Sequence, residues 1–172
     1  MKRQLFLTGT FTSALLLSGC MGYQLGGATH EGIDTVAIAS VINNTSEPAI
    51  EIQVTHAMRN RLQFDGRVQL VNQAEHADAV LEITLTKYDM KPIAYKTEEG
   101  KRTTPDLYRL RITGEAELRN TATGEVISKS RTYGESTFTF TSDLTTSKRN
   151  ALPPAADEIA KFILDDLIEA WN

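Results

Sequence analysis

The chain has 172 residues, with 18 basic against 22 acidic side chains and a single cysteine, Cys20. A formal charge of −4 excludes sequence-independent binding to nucleic-acid phosphates, which takes a dense basic surface, so no nucleic-acid partner is expected. One cysteine excludes an intrachain disulfide and a cysteine-based metal cluster, and a chain of this length can rest on one hydrophobic core.

Residues 1–19 read as an export signal. Lys2 and Arg3 give a basic start, Leu5 to Leu17 is apolar apart from small residues, and Leu17-Ser18-Gly19-Cys20 closes the segment. The apolar part is too short for a membrane span, which needs about 20 residues. Small residues before a cysteine suit a signal peptidase, and the thiol is a nucleophile for diacylglycerol attachment. The pattern resembles the bacterial lipobox, which implies that Cys20 begins the mature protein and carries about three acyl chains, enough for stable anchoring. Met21, rather than Asp, resembles default sorting to the outer membrane on its periplasmic face. Removing Lys2 and Arg3 leaves 16 of the 18 basic residues against 22 acidic ones, a formal charge of −6, so an anionic ligand has to be met by a local basic patch.

Residues 20–34 form a glycine-rich tether, and residues 35–172 are expected to be a single domain. Thr35 to Ile42 is a β-branched apolar run that fits a central strand buried on both faces. Asn43 to Pro48 supplies turn formers, a cap and a proline for the first helical turn. A helix follows over 49–64, with Ile50, Val54, Ala57, Met58 and Leu62 on one stripe, ended by Asp65-Gly66. Arg67 to Val71 is a short strand and Ala77 to Met90 a long one, in which Leu81, Ile83 and Leu85 alternate with polar residues. Lys91 to Asp106, with two prolines, reads as an exposed loop. Leu107 to Arg119 is the clearest strand, with Leu110, Ile112, Ala116 and Leu118 on one side and Arg109, Arg111, Glu115, Glu117 and Arg119 on the other. Asn120 to Gly124 turns the chain into a second strand over 125–140. Thr141 to Pro154 reads as a polar connection, and the closing helix spans 155–171. The fold class expected is α+β, a two-layer sandwich with a mixed, mainly antiparallel sheet of four to five strands and two helices on one face. The first strand, its helix and the next strand form a right-handed parallel crossover.

Several segments together resemble the LptE family of lipopolysaccharide-assembly lipoproteins. Cys20-Met21-Gly22-Tyr23-Gln24-Leu25 is similar to that family's start, although Gly26 stands where an arginine is common. The run Val36 to Pro48 resembles its first strand leading through Asn-x-Thr and Pro into the first helix, and Ala77 to Glu82 and Leu118 to Val126 resemble its middle strands and hairpin. The resemblance implies a plug and assembly partner of an LptD-type outer-membrane barrel, in contact with lipopolysaccharide and held to the membrane by its lipid. Lipopolysaccharide presents phosphates, so contact needs clustered Lys or Arg. Two places qualify: Lys87, Lys91, Lys96, Lys101 and Arg102 around the expected loop, and Arg109, Arg111, Arg119, Lys129 and Arg131 on the wet side of the ribbon. The competing reading of both is a solvated face paired across strands to Glu115, Glu117 and Glu135. Tyr133, Phe138 and Phe140 divide in the same way between a barrel contact and core packing.

No catalytic arrangement is visible. His30, His56 and His76 have no zinc spacing, and there is no G-x-S-x-G elbow and no phosphate loop. The adjacent pairs Asp165-Asp166 and Glu98-Glu99 are poorly placed for an acid/base couple, so no enzyme and no cofactor beyond the covalent lipid on Cys20 are expected. The alternative is another outer-membrane lipoprotein interaction module, such as an activator of cell-wall synthases. That role needs a long linker, and the 12 to 14 residues after Cys20 reach at most about 50 Å.

Overall fold

The computed structural model describes residues 30–97, 103–140 and 143–168. Strand β1 (Thr35–Ile38) leads through β2 (Ile42–Asn43) into helix α1 (Ile50–Asp65), followed by β3 (Gln69–Val71) and a single 3₁₀ turn at Ala74–His76. Three long strands come next, β4 (Ala79–Lys96), β5 (Thr104–Asn120) and β6 (Val126–Thr139), and helix α2 (Leu144–Ile168) ends the described chain. The sheet order is β3-β1-β4-β5-β6, with β2 also paired to β4. This is the expected α+β sandwich, with six strands in place of four to five.

The extra strand comes from a break in the first apolar run. Ile38 pairs with Leu81, and pairing resumes at Ile42 with Thr84, so this strand spends one residue more than β4 over the same stretch. The interruption turns Ile42 outward, 55% exposed, and the run is buried in two separate places, at Val36 and Ala37 and again at Val41, rather than continuously as a central strand would be. β1 pairs in parallel with both β3 and β4, as the crossover through α1 requires. Asp78 fixes this corner: its Oδ2 accepts from the Asp34 and Thr35 amides and the Thr35 hydroxyl, and those bonds hold its carboxyl below the usual range.

Helix α1 buries Ile50, Val54, Ala57, Met58 and Leu62, the stripe that the spacing predicts, and Gly66 closes it in a left-handed conformation with its amide on the Leu62 carbonyl. Its start departs from expectation. Pro48 lies before the helix, no side chain caps it, and Ala49 occupies the N-cap at φ 65°. A left-handed alanine pays a steric penalty that glycine does not. Ala49→Gly should therefore raise stability by about 0.5–1 kcal/mol, read as a higher denaturation midpoint in urea; an unchanged or lower midpoint would mean that the helix entry is not strained.

The stretch from Lys91 to Asp106 is mostly strand rather than loop. β4 continues to Lys96, and Pro105 pairs with Tyr95. Pro92 is tolerated because β2 leaves β4 at the Asn43–Leu85 pair, so among the described residues the far side of β4 is a free edge on which a missing amide costs no ladder bond. The three long strands thus project beyond the short ones as a ribbon. At its other end Asn120 Oδ1 accepts from the Ala122 and Thr123 amides and Gly124 adopts φ 73°, closing the expected hairpin.

Helix α2 begins eleven residues before the expected position, at Leu144. Asp143 caps it, with Oδ1 on the Thr145 amide and Oδ2 on the Thr146 amide. Pro153 and Pro154 lie inside it. Both helices share one face of the sheet, where Leu81, Ile83, Leu85, Leu110, Ile112, Ala116 and Leu118 meet Met58, Leu62, Ile159, Ile163 and Leu167 in one core. The helix end at Trp171 expected from the sequence lies outside the described residues.

Candidate functional site: a cationic pocket on the open face of the sheet

The face of the sheet opposite the helices carries the odd-numbered side chains of β5. Its charges fall into two halves. Near the 120–124 hairpin, Arg119 pairs with Glu82 and Glu117, Lys129 with Glu117, and Arg131 with Glu115. Three cations meet three carboxylates, and the patch is neutral. Farther along the ribbon, register brings Asp89 opposite Arg111 and Glu135, and Lys91 opposite Arg109. Here, among the described residues, Lys87, Lys91, Arg109 and Arg111 face only Asp89 and Glu135, which leaves two positive charges in excess.

This half forms a shallow pocket of about 200 Å³ lined by Asp89, Lys91, Pro92, Ile93, Arg109 and Arg111. Two bulges frame it. Thr86 and Ile93 are each extra residues on β4 relative to β5, and such bulges re-aim neighbouring side chains. Arg111 donates from Nε and Nη2 to Glu135 Oε2 at 2.9 and 2.7 Å, and its guanidinium lies 4.1 Å from the Tyr133 ring centre. Glu135 thereby holds Arg111 more firmly protonated. Glu135 is shared, because Arg109 Nε lies 3.7 Å from its Oε1. That distance is beyond a hydrogen bond, and among the described residues the buried Arg109 Nε finds no other acceptor. The Lys87 hydrogen bond, with the charges of Lys91 and Arg111, holds Asp89 below the usual carboxylate range. Asp89 therefore stays anionic and fixes Lys87 at 2.6 Å. What remains unneutralised is Lys91 and Arg109 beside a pre-positioned Arg111, a set suited to an oxyanion such as a phosphate.

The candidates singled out by sequence divide accordingly. Lys91, Arg109 and Arg111 come together; Lys87 joins them through Asp89; Lys96 pairs with Asp106 at 3.6 Å, farther along the ribbon. Arg119, Lys129 and Arg131 belong to the neutral half, and Lys101, Arg102 and Cys20 lie outside the described residues. Phe138 stacks on Tyr108 with centroids 5.5 Å apart, while Phe140 is 40% exposed. Asp89 was not visible as a site residue in the sequence, because the Thr86 bulge breaks the period of two that would put it on this face. Among the described residues no cluster suits a metal ion and no helix is long and apolar enough to cross a membrane.

The family model described as LptE, lipopolysaccharide-assembly, matches residues 33–169. No curated protein matches the chain. Among solved structures the fold is similar to PelC of Paraburkholderia phytofirmans, crystallised as a dodecamer, with TM-score 0.50 and 19% identity over 85% of this chain and 97% of that one. It is also similar to a Xanthomonas campestris protein of family DUF330, with TM-score 0.52 and 11% identity over 76% of this chain and 81% of that one. At these identities the likeness concerns the fold alone.

Proposed function

Because the chain belongs to the LptE family of lipopolysaccharide-assembly proteins, as the match over residues 33–169 establishes, we propose that it works as the lipid-anchored partner of an LptD-type barrel. In this reading residues 1–19 direct export, Cys20 carries the acyl chains that hold the protein to the periplasmic face of the outer membrane, and residues 35–172 form the plug. The role is non-catalytic. The protein positions a barrel and meets the phosphates of lipopolysaccharide through Lys91, Arg109 and Arg111, with Lys87 beside them. The observation that carries this is the uneven charge on the open face of the sheet, neutral near the hairpin and doubly positive in the pocket. A solvated face with ordinary cross-strand pairing predicts balance throughout.

The full-length protein, purified with its lipid from detergent-solubilised outer membranes, should bring down a large β-barrel in roughly equal amount. Substitutions on the open face of the ribbon between Leu107 and Phe140 should reduce that recovery, and Cys20→Ser should release the protein from the membrane fraction. Recovery of a cell-wall synthase in place of a barrel would favour the alternative interaction-module reading.

A further inference from the structure

The contacts at one end of the domain show where the chain enters it. His30 Nε2 lies 2.9 Å from the Leu167 carbonyl oxygen, so the first described residue is tied to the carboxyl end of α2. The carboxyl end of α1 is at the same place, because Arg67 bridges Asp65 at 2.6 Å and Asp165 at 3.4 Å. Phe64, next to Asp65, is 87% exposed, the highest value among the large hydrophobic side chains described. Phe162, within the last two turns of α2, is 36% exposed, and the Lys161 ammonium lies 5.8 Å from its ring centre.

Cys20 precedes His30 by ten residues, which fully extended span at most about 35 Å. A domain held by acyl chains on Cys20 therefore has this end within reach of the lipid surface. β5 alone is 17 residues long, about 55 Å of strand, more than the tether spans, so the tip of the ribbon is not held there. Exposed Phe with an adjacent Lys is the chemistry of a bilayer interface, where the ring enters the headgroup boundary and the ammonium stays among phosphates. Nothing in the packing calls for Phe64 to be aromatic, and in water its exposure gains no stability.

We propose that the end of the domain bearing Phe64 and Phe162 lies against the bilayer that holds the Cys20 lipid, with Phe64 seated at the headgroup boundary as a second membrane contact. This rests on the lipidation reading above. It adds a fixed orientation to the anchor, since one lipid on a glycine-rich tether sets distance but not attitude.

The test uses the full-length acylated chain in vesicles of phosphatidylethanolamine and phosphatidylglycerol. Acylation consumes Cys20, the only native thiol, so Phe64→Cys supplies a unique position for a nitroxide label, with Thr139→Cys on the far part of β6 as the reference. Mass spectrometry first establishes the acyl chains on Cys20. The label at 64 should then lose accessibility to a water-soluble nickel chelate and gain collisions with oxygen, while the label at 139 stays open to nickel. Equal nickel accessibility at both positions on an acylated chain would overturn the proposal and leave the lipid anchor intact. An unacylated Cys20 would overturn the anchor reading, and the proposal with it.

Discussion

Gly134→Ala is expected to cost at least about 3 kcal/mol and to lower the melting temperature by roughly 10 °C. Gly134 lies in the middle of β6 under α2, where a Cβ would collide with the Ala155 carbonyl oxygen and the Ile159 amide nitrogen and sit 2.8 Å from Ile159 Cβ. The first two atoms are backbone, so no rotamer change makes room. Either the helix lifts from the strand or the strand bends away, and both open the core around Ile159 and Ile163. The close approach also serves two polar contacts, in which the Glu135 amide donates to Glu158 and the Ser136 hydroxyl to the Ala151 carbonyl at 2.6 Å. Gly114→Ala is the control, because the nearest atoms to its Cβ would be Thr84 O at 3.3 Å and the side-chain tips of Ile159 and Leu85 at 3.4 Å. Thermal unfolding followed by circular dichroism separates the two. If Gly134→Ala melts within about 2 °C of the parent, the strand and helix are free to part and the argument fails.

The double replacement Arg109→Gln and Arg111→Gln should weaken binding of purified lipopolysaccharide by about tenfold for each arginine, the effect of losing a charge-assisted hydrogen bond. Arg119→Gln should leave binding near the parent value, because Arg119 already satisfies Glu82 and Glu117. The distinction is sharp because all three residues lie on the same face of β5, and a nonspecific response to net charge would treat them alike. Binding should fall with added salt in the parent and less steeply in the double variant. Lipid A stripped of its phosphates should bind the two proteins equally if the pocket reads phosphate. A loss from Arg119→Gln as large as that from either pocket arginine would reduce the pocket to one part of a diffuse basic surface.

The sequence was most legible where a periodic pattern met a partner of matching period. The α1 stripe and the alternation of β5 were read residue by residue, because burial on one face leaves little freedom in either pattern. Proline misled in two places for different reasons. Pro153-Pro154 reads as a helix boundary, yet the cap lies upstream at Asp143, and tertiary packing against β6 carries the helix through residues that local propensity would exclude. Pro92 reads as loop, and becomes strand only because the pairing of β2 with β4 stops at Leu85, which no local signal announces. The site was half legible. Clustered Lys and Arg were visible as such, but which of them are neutralised depends on cross-strand register, and register on the bulges at Thr86 and Ile93. A bulge is one residue in a pairing of two strands, and neither strand alone reveals it.

The same bulges bear on how this ribbon tolerates changes in length. Loss of a single residue from the middle of β5 would swing Arg109, Arg111, Glu115, Glu117 and Arg119 toward the helices, or force every pairing beyond that point to slip. Length should therefore change in steps of two, or at positions that already hold an unpaired residue. Deletion of Thr86 or Ile93 is such a change, since each is the one residue β4 carries without a counterpart on β5. Homologous ribbons are expected to differ by one residue at these two points, or at Asp106 of β5 and Ile127 of β6, which are likewise unpaired, and to keep an even spacing elsewhere.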